Sequence, residues 1–394
     1  MSVQTNSIIK GLLVAFVEKN EKEQFGLLEQ LVLQQSFSRF KAGVDAVGKR
    51  IEAGLQGTGM GLDMVRETEV GDQLVFRSPA YRTGQPALLL VGHMDTVYPV
   101  DSQFNWYKDD GKKVFGPGVI DMKGGLVTAI FALKALAACR LLDTIPLTLI
   151  CNSDEEIGSP ASSPLIRTEA ERSLLGLGFE CGGLHGEVVT GRKGKAGYLL
   201  VVKGRAGHAA FAGPDKASAI LELAHKIIAL ERLNGGRRKI VVNVGVIRGG
   251  IGPNTVADQA VAEIDTRFLV MADCAATAAK IERIANDRSV PGTWAELHHT
   301  PSRRPMVQNA ANRELFRLIR REAELLGLPC REELRSGVSD MNTVVETGIP
   351  AVDGMGPMGD CDHCDREYMI RDSLPARTKL AALSIVSCWE RYGS

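Results

Sequence analysis

The sequence has no excess of charge of either sign. Its 394 residues include 47 Lys and Arg against 47 Asp and Glu, so the formal net charge is zero. Proteins that bind nucleic acid or anionic membranes usually carry a basic surplus, so bulk charge favours neither class. Long apolar runs are also missing, because no stretch approaches the roughly 20 residues that a membrane-spanning helix needs. We therefore expect no nucleic-acid partner and no membrane partner.

Cysteine is scarce, with eight residues scattered from Cys139 to Cys388. A disulfide scaffold needs denser cysteines, so their sparseness favours a reducing compartment, and we expect a cytoplasmic protein. Residues 8–17 are mildly apolar but are interrupted by Lys10 and Gly11. We interpret them as an amphipathic helix and not as a secretory signal.

What the chain does contain is the composition of a globular enzyme, with 44% apolar and 24% charged residues. A chain of this length exceeds the roughly 250–300 residues at which single cores split, which predicts two domains. Strands and helices alternate up to about residue 194, as in α/β proteins, and the order βαββαβ follows, as in ferredoxin-like α+β domains. We predict an α/β domain over 1–194 and 305–394, with an α+β domain inserted at 195–304.

The hydrophobic periodicity predicts the individual elements. Predicted helices cover 21–35, 40–56, 126–138, 216–234, 272–287, 311–326 and 373–392, and another begins at Ser159-Pro160. Predicted strands cover 87–92, 145–151, 196–203, 239–247, 256–268, 293–299 and 351–352, with two shorter strands within 62–78.

The predicted strand 87–92 is continuously apolar and ends at His93 and Asp95. Side chains two positions apart on a strand point the same way, and ligands of α/β sheets bind at the carboxyl ends of strands. A metal-binding histidine usually has a carboxylate behind its second ring nitrogen. We therefore predict that His93 binds a metal and that Asp95 supports it, with a purely structural histidine as the alternative.

Four further stretches place metal-type ligands beside glycines or at strand ends: Asp121, Glu155-Glu156, Glu180 and His363. Two histidines and three carboxylates suit zinc, and also cobalt or manganese. Because one zinc takes about four ligands, five protein groups favour two metals, with Asp121 as the natural bridge. One of the adjacent glutamates would bind metal, and the other would act as a general base towards a water molecule.

Each of these residues has an ordinary alternative role. An Asp in a glycine-rich turn is often only a turn residue, and a Glu pair is usually solvated. Residues 361–364, Cys-Asp-His-Cys, could form a thiolate zinc site, but no second Cys pair follows at the required spacing. Because these residues all lie at or near predicted strand ends, we favour a shared metal site over the separate ordinary roles.

Three blocks, residues 92–97, 116–125 and 154–159, resemble the signature blocks of the M20 di-zinc metallopeptidases. This family includes glutamate carboxypeptidase, acetylornithine deacetylase and succinyl-diaminopimelate desuccinylase. The resemblance is strongest to the glutamate carboxypeptidase branch, and it covers nearly the whole chain. It implies a di-zinc catalytic domain with an inserted lid and dimerisation domain.

The resemblance also implies a role for each candidate residue. His93 and Glu180 would hold one zinc, Glu156 and His363 would hold the second, and Asp121 would bridge them. Asp95 would orient His93, Glu155 would be the general base, and the peptide bond after Asp121 would be cis.

In the inserted domain, block 204–209 resembles the family's lid histidine block, which implies that His208 reaches the partner subunit's active site in a homodimer. Asn254 lies in a block that resembles the family's Asn block, and Arg267 matches its Arg. Arg304 is a further candidate for binding a substrate carboxylate, although both arginines could equally be exposed salt-bridge partners. Ser339 lies in a stretch similar to the glycine-rich substrate loop, where the family commonly has Thr.

These observations predict a di-zinc hydrolase that cleaves an amide bond and releases a C-terminal amino acid, glutamate being the first candidate. An N-acyl amino-acid deacylase is the alternative within the same family. The shape of the substrate pocket distinguishes the carboxypeptidase from the deacylase. A catalytically silent binding protein would have lost the base or a ligand, and all of these positions are filled.

Overall fold

The computed structural model describes residues 3–235 and 239–393, and within them the chain forms two compact units. The first unit comprises Met1–Gly191, Gln308–Leu334 and Ser339–Ser394, and the second comprises Arg192–Val307 and Arg335–Val338. In chain order the helices are α1 (Val3–Lys19), α2 (Glu21–Val32), α3 (Lys41–Gly54), α4 (Gly124–Ala138), α5 (Ser163–Ala170), α6 (Ala219–Glu231), α7 (Met271–Asn286), α8 (Ala310–Leu325), α9 (Met341–Val345) and α10 (Ser373–Tyr392).

The strands are numbered in the same way. They are β1 (Gly61–Val65), β2 (Gln73–Arg77), β3 (Ala87–His93), β4 (Lys108–Asp109), β5 (Lys113–Phe115), β6 (Leu147–Asn152), β7 (Ser173–Gly178), β8 (Glu187–Arg192), β9 (Gly194–Lys203), β10 (Gly207–His208), β11 (Val241–Gly249), β12 (Thr255–Val256), β13 (Gln259–Phe268), β14 (Trp294–Arg303), β15 (Arg331–Arg335), β16 (Ala351–Val352), β17 (Gly359–Asp360) and β18 (Tyr368–Ile370).

The first unit is built on a six-stranded mixed sheet in the order β1-β2-β6-β3-β7-β16. Strands β6, β3, β7 and β16 are parallel, whereas β1 and β2 pair antiparallel. Every residue of β3 is buried, which explains its continuous apolar sequence, since helices cover parallel sheets on both faces. The carboxyl ends of β3, β6 and β7 therefore lie at one edge of the sheet.

Helix α4 begins at this edge and packs against the sheet. Its sequence is apolar nearly all round, and it is buried along most of its length, as expected of a helix enclosed by other elements. Gly125 is required near its start, because a Cβ atom there would collide with the carbonyl group of Phe179 just after β7. This close approach brings the turn before α4 next to the strand ends.

The second unit contains a four-stranded antiparallel sheet in the order β11-β13-β9-β14. Together with α6 and α7 it follows the chain order βαββαβ, which is the ferredoxin-like pattern predicted from the sequence. Alternate residues of β13 are buried, so one face of the sheet forms the core of this unit.

Most predicted elements are confirmed to within a few residues, and α10 has the predicted bounds. The predicted strand 256–268 is divided into two strands. β12 pairs with β10, whereas β13 pairs with β9 in the four-stranded sheet. The helix predicted at Ser159-Pro160 was placed too early, since α5 begins at Ser163. The carboxylate of Asp154 accepts hydrogen bonds from the amides of Ala161 and Ser162, which holds this stretch in a turn.

In the described ranges, no helix is both long enough and apolar enough to cross a membrane.

Candidate metal centre

The first unit brings together the five predicted ligands, which come from different parts of the chain. His93 is the last residue of β3, Glu156 follows β6 in a short 3-10 helix, and Glu180 lies two residues beyond β7. Asp121 lies in the turn before α4, and His363 follows β17. The parallel strand ends therefore supply three ligands, and two loops supply the others, as expected for a site at the carboxyl edge of an α/β sheet.

One half of the centre is formed around His93. Its Nε2 atom lies 3.1 Å from Oδ1 of Asp121 and 3.7 Å from Oε1 of Glu180. The histidine is 1% exposed, and the two carboxylates are about 15% exposed or less, so all three are shielded from water. These atoms form one nitrogen and two oxygen donors that face one another.

The other half is formed around His363. Its Nε2 atom lies 3.1 Å from Oδ2 of Asp121 and 3.2 Å from Oε2 of Glu156. The His363 side chain is 54% exposed, so this half opens towards solvent. Asp362 also has a carboxylate oxygen within 4.8 Å of ligand atoms of Asp121 and His363, which makes it an additional candidate that the sequence did not single out.

Asp121 therefore faces both halves, with one carboxylate oxygen directed at each. A bridging carboxylate needs this placement, and the bridging role of Asp121 stays a prediction. The peptide bond between Asp121 and Met122 is cis, as the resemblance implied.

Asp95 is completely buried and contacts the Nδ1 side of the His93 ring. The backbone carbonyl of Asp95 accepts from Nδ1 of His93 at 3.0 Å, and its carboxylate Oδ1 lies 3.4 Å from the same atom. The carboxylate also accepts hydrogen bonds from the amides of Glu155 and Glu156 and from the hydroxyl of Ser38. Because Nδ1 donates to Asp95, Nε2 of His93 is left as the ligand atom.

The carboxylates of the centre shift the pKa values of its histidines and of one another. Burial lowers the pKa of His93, but hydrogen bonds to Asp121 and Asp95 outweigh it and hold that pKa well above its usual range. Hydrogen bonds to Asp121 and Glu156 raise the pKa of His363 to about 11. Burial and the charge of Asp121 raise the pKa of Glu156 to about 8. These shifts all arise because the carboxylates make the surroundings of both imidazoles strongly negative, an environment that divalent cations stabilise in metal centres.

The donor set fits divalent metal ions. Oε1 of Glu156 is buried without a hydrogen-bond partner, and the ligand atoms of His93, Asp121 and Glu156 all lie within 4.8 Å of one another. A buried carboxylate oxygen without a partner is costly unless a cation satisfies it. Imidazole nitrogens and carboxylate oxygens are ligands that zinc accepts, and cobalt and manganese accept them as well.

Glu367 is a structural part of the centre that the sequence did not reveal. Its fully buried carboxylate accepts hydrogen bonds from the amides of Gly118, Ile120 and Asp121 at 2.8–3.1 Å and from the hydroxyl of Tyr98 at 2.7 Å. A single carboxylate thus holds the turn that carries the bridging ligand. No local pattern marks this residue, because its partners lie roughly 250 residues away in sequence.

In the second unit, His208 and Asn254 lie next to each other. Strand β10 pairs with β12, and the amide of Ala209 donates to the carbonyl of Asn254 at 2.9 Å. Nδ1 of His208 accepts from the amide of Ala210, so in the neutral ring the proton is on Nε2. His208 is exposed and therefore presents an N–H donor at the surface of this unit.

The remaining predicted substrate residues differ in their surroundings. Arg267 forms a salt bridge from Nε to Oδ2 of Asp265 at 2.7 Å, and Arg304 is exposed. Ser339 is 1% exposed and donates its hydroxyl proton to Asp353 at 2.6 Å. This burial counts against direct substrate contact by the Ser339 side chain, whereas substrate binding by the two arginines stays a prediction.

Comparison with known proteins identifies the family of this chain. Residues 89–386 match the Peptidase family M20/M25/M40, so the chain belongs to this family of hydrolytic enzymes. It is 27% identical over 365 residues to "Carboxypeptidase G2" of Pseudomonas sp. (strain RS-16), covering 91% of this chain and 88% of that protein. It is 29% identical over 242 residues to "Succinyl-diaminopimelate desuccinylase" of Rhodopseudomonas palustris (strain BisA53), covering 54% of this chain and 60% of that protein.

The fold is shared with a solved tripeptidase from Staphylococcus aureus, with a TM-score of 0.76 and 21% identity. That comparison covers 93% of this chain and 99% of the tripeptidase chain. By its family match the chain is a metallopeptidase-type hydrolase, and its relatives are named for different reactions.

Proposed function

We propose that this protein is a di-zinc carboxypeptidase, which cleaves an amide bond and releases a C-terminal amino acid, with glutamate as the first candidate. The observation that carries the proposal is the division of the centre into two halves about Asp121, each with one histidine and one further glutamate. A relative that covers 91% of this chain is named as a carboxypeptidase, which supports this choice of reaction.

In this proposal His93, Glu180 and Asp121 hold one zinc, and His363, Glu156 and Asp121 hold the other. Zinc held by these residues would supply Lewis-acid polarisation of the scissile carbonyl group and would lower the pKa of a bound water molecule. Asp95 holds His93 in the orientation and tautomer that leaves Nε2 for the metal.

Glu155 is the proposed general base. Its amide is held by Asp95 at 3.2 Å, and its charge contributes to the raised pKa of Glu156, so its carboxylate is close to the centre. Adjacent residues cannot easily aim both side chains at one point, and Glu156 already faces His363. Glu155 would take the proton of the attacking water and pass it to the leaving amine.

The second unit supplies the proposed binding groups. His208 presents an Nε2–H donor, which suits stabilisation of a developing oxyanion, and Asn254 lies beside it. Arg267 and Arg304 would bind the free carboxylate of the substrate through paired hydrogen bonds. The salt bridge to Asp265 would keep the Arg267 guanidinium in a defined orientation.

A homodimer through the second unit is also part of the proposal. Strand β11 lies at the edge of its sheet and exposes apolar side chains, with Ile247 62% and Val246 36% exposed. Asn234 and Glu231 bind backbone groups of Val242 and Val244, so the proposed surface for a second copy is the apolar stretch around Val246 and Ile247. We expect Ile247→Lys to shift the protein from dimer to monomer in light scattering, and a fully active wild-type monomer would contradict this part.

The cytoplasmic location stays a prediction from cysteine usage. All eight cysteines are free in the structure, which is consistent with a reducing compartment.

The decisive experiment measures metal content and substrate choice together. Purified protein should contain two zinc ions per chain by elemental analysis, and chelation should abolish hydrolysis that zinc then restores. Glu-terminal peptides and folate-like amides should be cleaved faster than N-acetyl and N-succinyl amino acids. The reverse order would favour the N-acyl amino-acid deacylase, an alternative supported by the desuccinylase relative.

A further inference from the structure

Two cysteines flank the exposed metal ligand. Cys361 and Cys364 stand on either side of His363 in the turn that follows β17, and both are partly exposed. The Cys364 thiol donates to the backbone carbonyl of Cys361 at 3.1 Å, so its sulfur atom lies against the backbone of the other cysteine. Neither thiol belongs to the proposed ligand set, so their proximity is not explained by the metal centre.

The spacing of these thiols suits a disulfide. Residues at the two ends of a four-residue turn have Cα atoms less than about 7 Å apart, and disulfides usually join Cα atoms about 4.4–6.8 Å apart. Residues 362 and 363 form such a turn, and the Cys364 sulfur lies 3.1 Å from the carbonyl oxygen of Cys361. Partial exposure allows a small oxidant to reach them.

We propose that Cys361 and Cys364 form a reversible disulfide site, and that its oxidation withdraws His363 from the metal centre. The inference concerns a modification site, and its second half rests on the proposed function of His363 as a zinc ligand. A low-molecular-weight disulfide, such as oxidised glutathione, is the oxidant by class.

The chemistry is thiol–disulfide exchange. One cysteine sulfur attacks a sulfur atom of oxidised glutathione, which breaks its S–S bond, forms a mixed disulfide and releases one reduced glutathione. The other cysteine then attacks the protein sulfur of the mixed disulfide and releases the second glutathione. The protein loses two electrons and two protons, and both glutathione molecules leave as thiols.

The loop geometry explains why oxidation would move His363. Cys364 is anchored, since its carbonyl accepts from the amide of Glu367 at 3.1 Å and also lies 2.9 Å from the oxygen of Tyr98, whose proton goes to the Glu367 carboxylate. Cys361 and His363 both have left-handed backbone conformations, with φ of 67° and 60°. Closing the disulfide must therefore adjust the dihedral angles between the anchor and Cys361, and His363 lies inside that closed ring.

Small movements are sufficient to weaken the site. Zinc–ligand distances tolerate only about 0.2 Å, and Nε2 of His363 meets two separate carboxylates, Asp121 and Glu156. If the His363 imidazole rotates, its Nε2 atom no longer lies close to both carboxylates. The half of the centre that opens to solvent would therefore lose its metal first.

The test uses the zinc-loaded full-length protein with oxidised glutathione. We expect the loss of two of the eight thiols, a proteolytic peptide containing residues 361–364 that is lighter by two hydrogen atoms, and the loss of about one zinc per chain. Dithiothreitol with added zinc should reverse all three changes. Cys361→Ser and Cys364→Ser should prevent zinc loss on oxidation, whereas Cys139→Ser, a partly exposed control elsewhere, should behave as wild type.

The outcomes separate this inference from the proposed function. Retention of all eight thiols, or a disulfide that excludes residues 361–364, overturns the inference even when the reduced protein binds two zinc ions. Formation of the disulfide without loss of zinc overturns its effect on His363. A reduced protein that binds no zinc contradicts the proposed function, while the thiol count still reports on the disulfide.

Discussion

The carboxylate of Glu367 accepts a hydrogen bond from the backbone amide of Asp121, with N and Oε1 3.1 Å apart. Asp95 holds the amides of Glu155 and Glu156 in the same manner, at 3.2 Å for each. In each case a buried carboxylate from a distant part of the chain fixes the backbone of a ligand segment. The ligand positions therefore depend on a layer of carboxylates beneath the centre as well as on the strands.

Replacing Glu367 with Gln should weaken zinc binding. The amide side chain loses the charge that attracts three backbone N–H groups and the Tyr98 hydroxyl, so the turn bearing Asp121 becomes less ordered. Residues that orient metal ligands typically contribute 10–100-fold in affinity, and we expect a loss in that range. Competition with a chromogenic chelator would measure it, with the exposed residue Glu171 changed to Gln as a matched control.

A zinc affinity equal to that of the control would show that Glu367 only stabilises the fold. A thermal melt distinguishes the two roles, because a purely structural residue would lower the melting temperature without selectively changing metal binding in the folded protein.

Glu155→Gln and Glu156→Gln should fail in different ways although the residues are adjacent. The first variant should keep both zinc ions and lose about 10²–10⁴-fold in kcat, because a general base is removed. The second should lose zinc, because it faces His363 and Asp121. Elemental analysis and steady-state kinetics measure both properties. Wild-type turnover by a Glu155→Gln protein with full zinc would exclude the general-base assignment.

His363→Ala should leave about one tightly bound zinc ion per chain, because the other half, around His93, is intact and buried. Asp362→Asn is the neighbouring control, since Asp362 is exposed and lies beside the same loop. Zinc titration followed by calorimetry would measure the number of sites. Two sites of full affinity in His363→Ala would remove His363 from the ligand set, and one site in Asp362→Asn would add Asp362 to it.

Local sequence patterns reveal only some of the residues that form the metal centre. His93 and Asp121 were predictable because a buried strand and a glycine-rich turn mark their positions within a few residues. Glu367 was not predictable, because its role arises only when β17 and β18 bring it under the turn before α4. The burial of Ser339 was missed for the same reason, since its partner Asp353 follows another strand.

The second unit offers a prediction on stability and pH. Glu222 and Lys226 form an ion pair at 2.9 Å on α6, with side chains 1% and 3% exposed. The carboxylate also accepts hydrogen bonds from the amides of Ser289 and Val290, and the ammonium group donates to the carbonyls of Ile284 and Ala285 in the last turn of α7. Removing one partner of such a pair leaves a buried charge, so Glu222→Ala should lower the free energy of unfolding by about 3–5 kcal/mol.

The pH dependence of this effect follows from the carboxyl group. Burial raises the pKa of Glu222, but the hydrogen bond from Lys226 and the amide of Val290 outweigh it, so the pKa lies below its ordinary value of 4.5. A carboxyl group whose pKa is lowered by folding contributes stability above its unfolded pKa and loses it as pH falls through the folded pKa.

The difference in unfolding free energy between wild type and Glu222→Ala should therefore be full at pH 7 and shrink below pH 4.5. Urea denaturation at several pH values would measure it, with Glu263→Gln as control because the Glu263 side chain is 48% exposed. A difference that stays constant down to pH 3 would show that Glu222 acts only through packing.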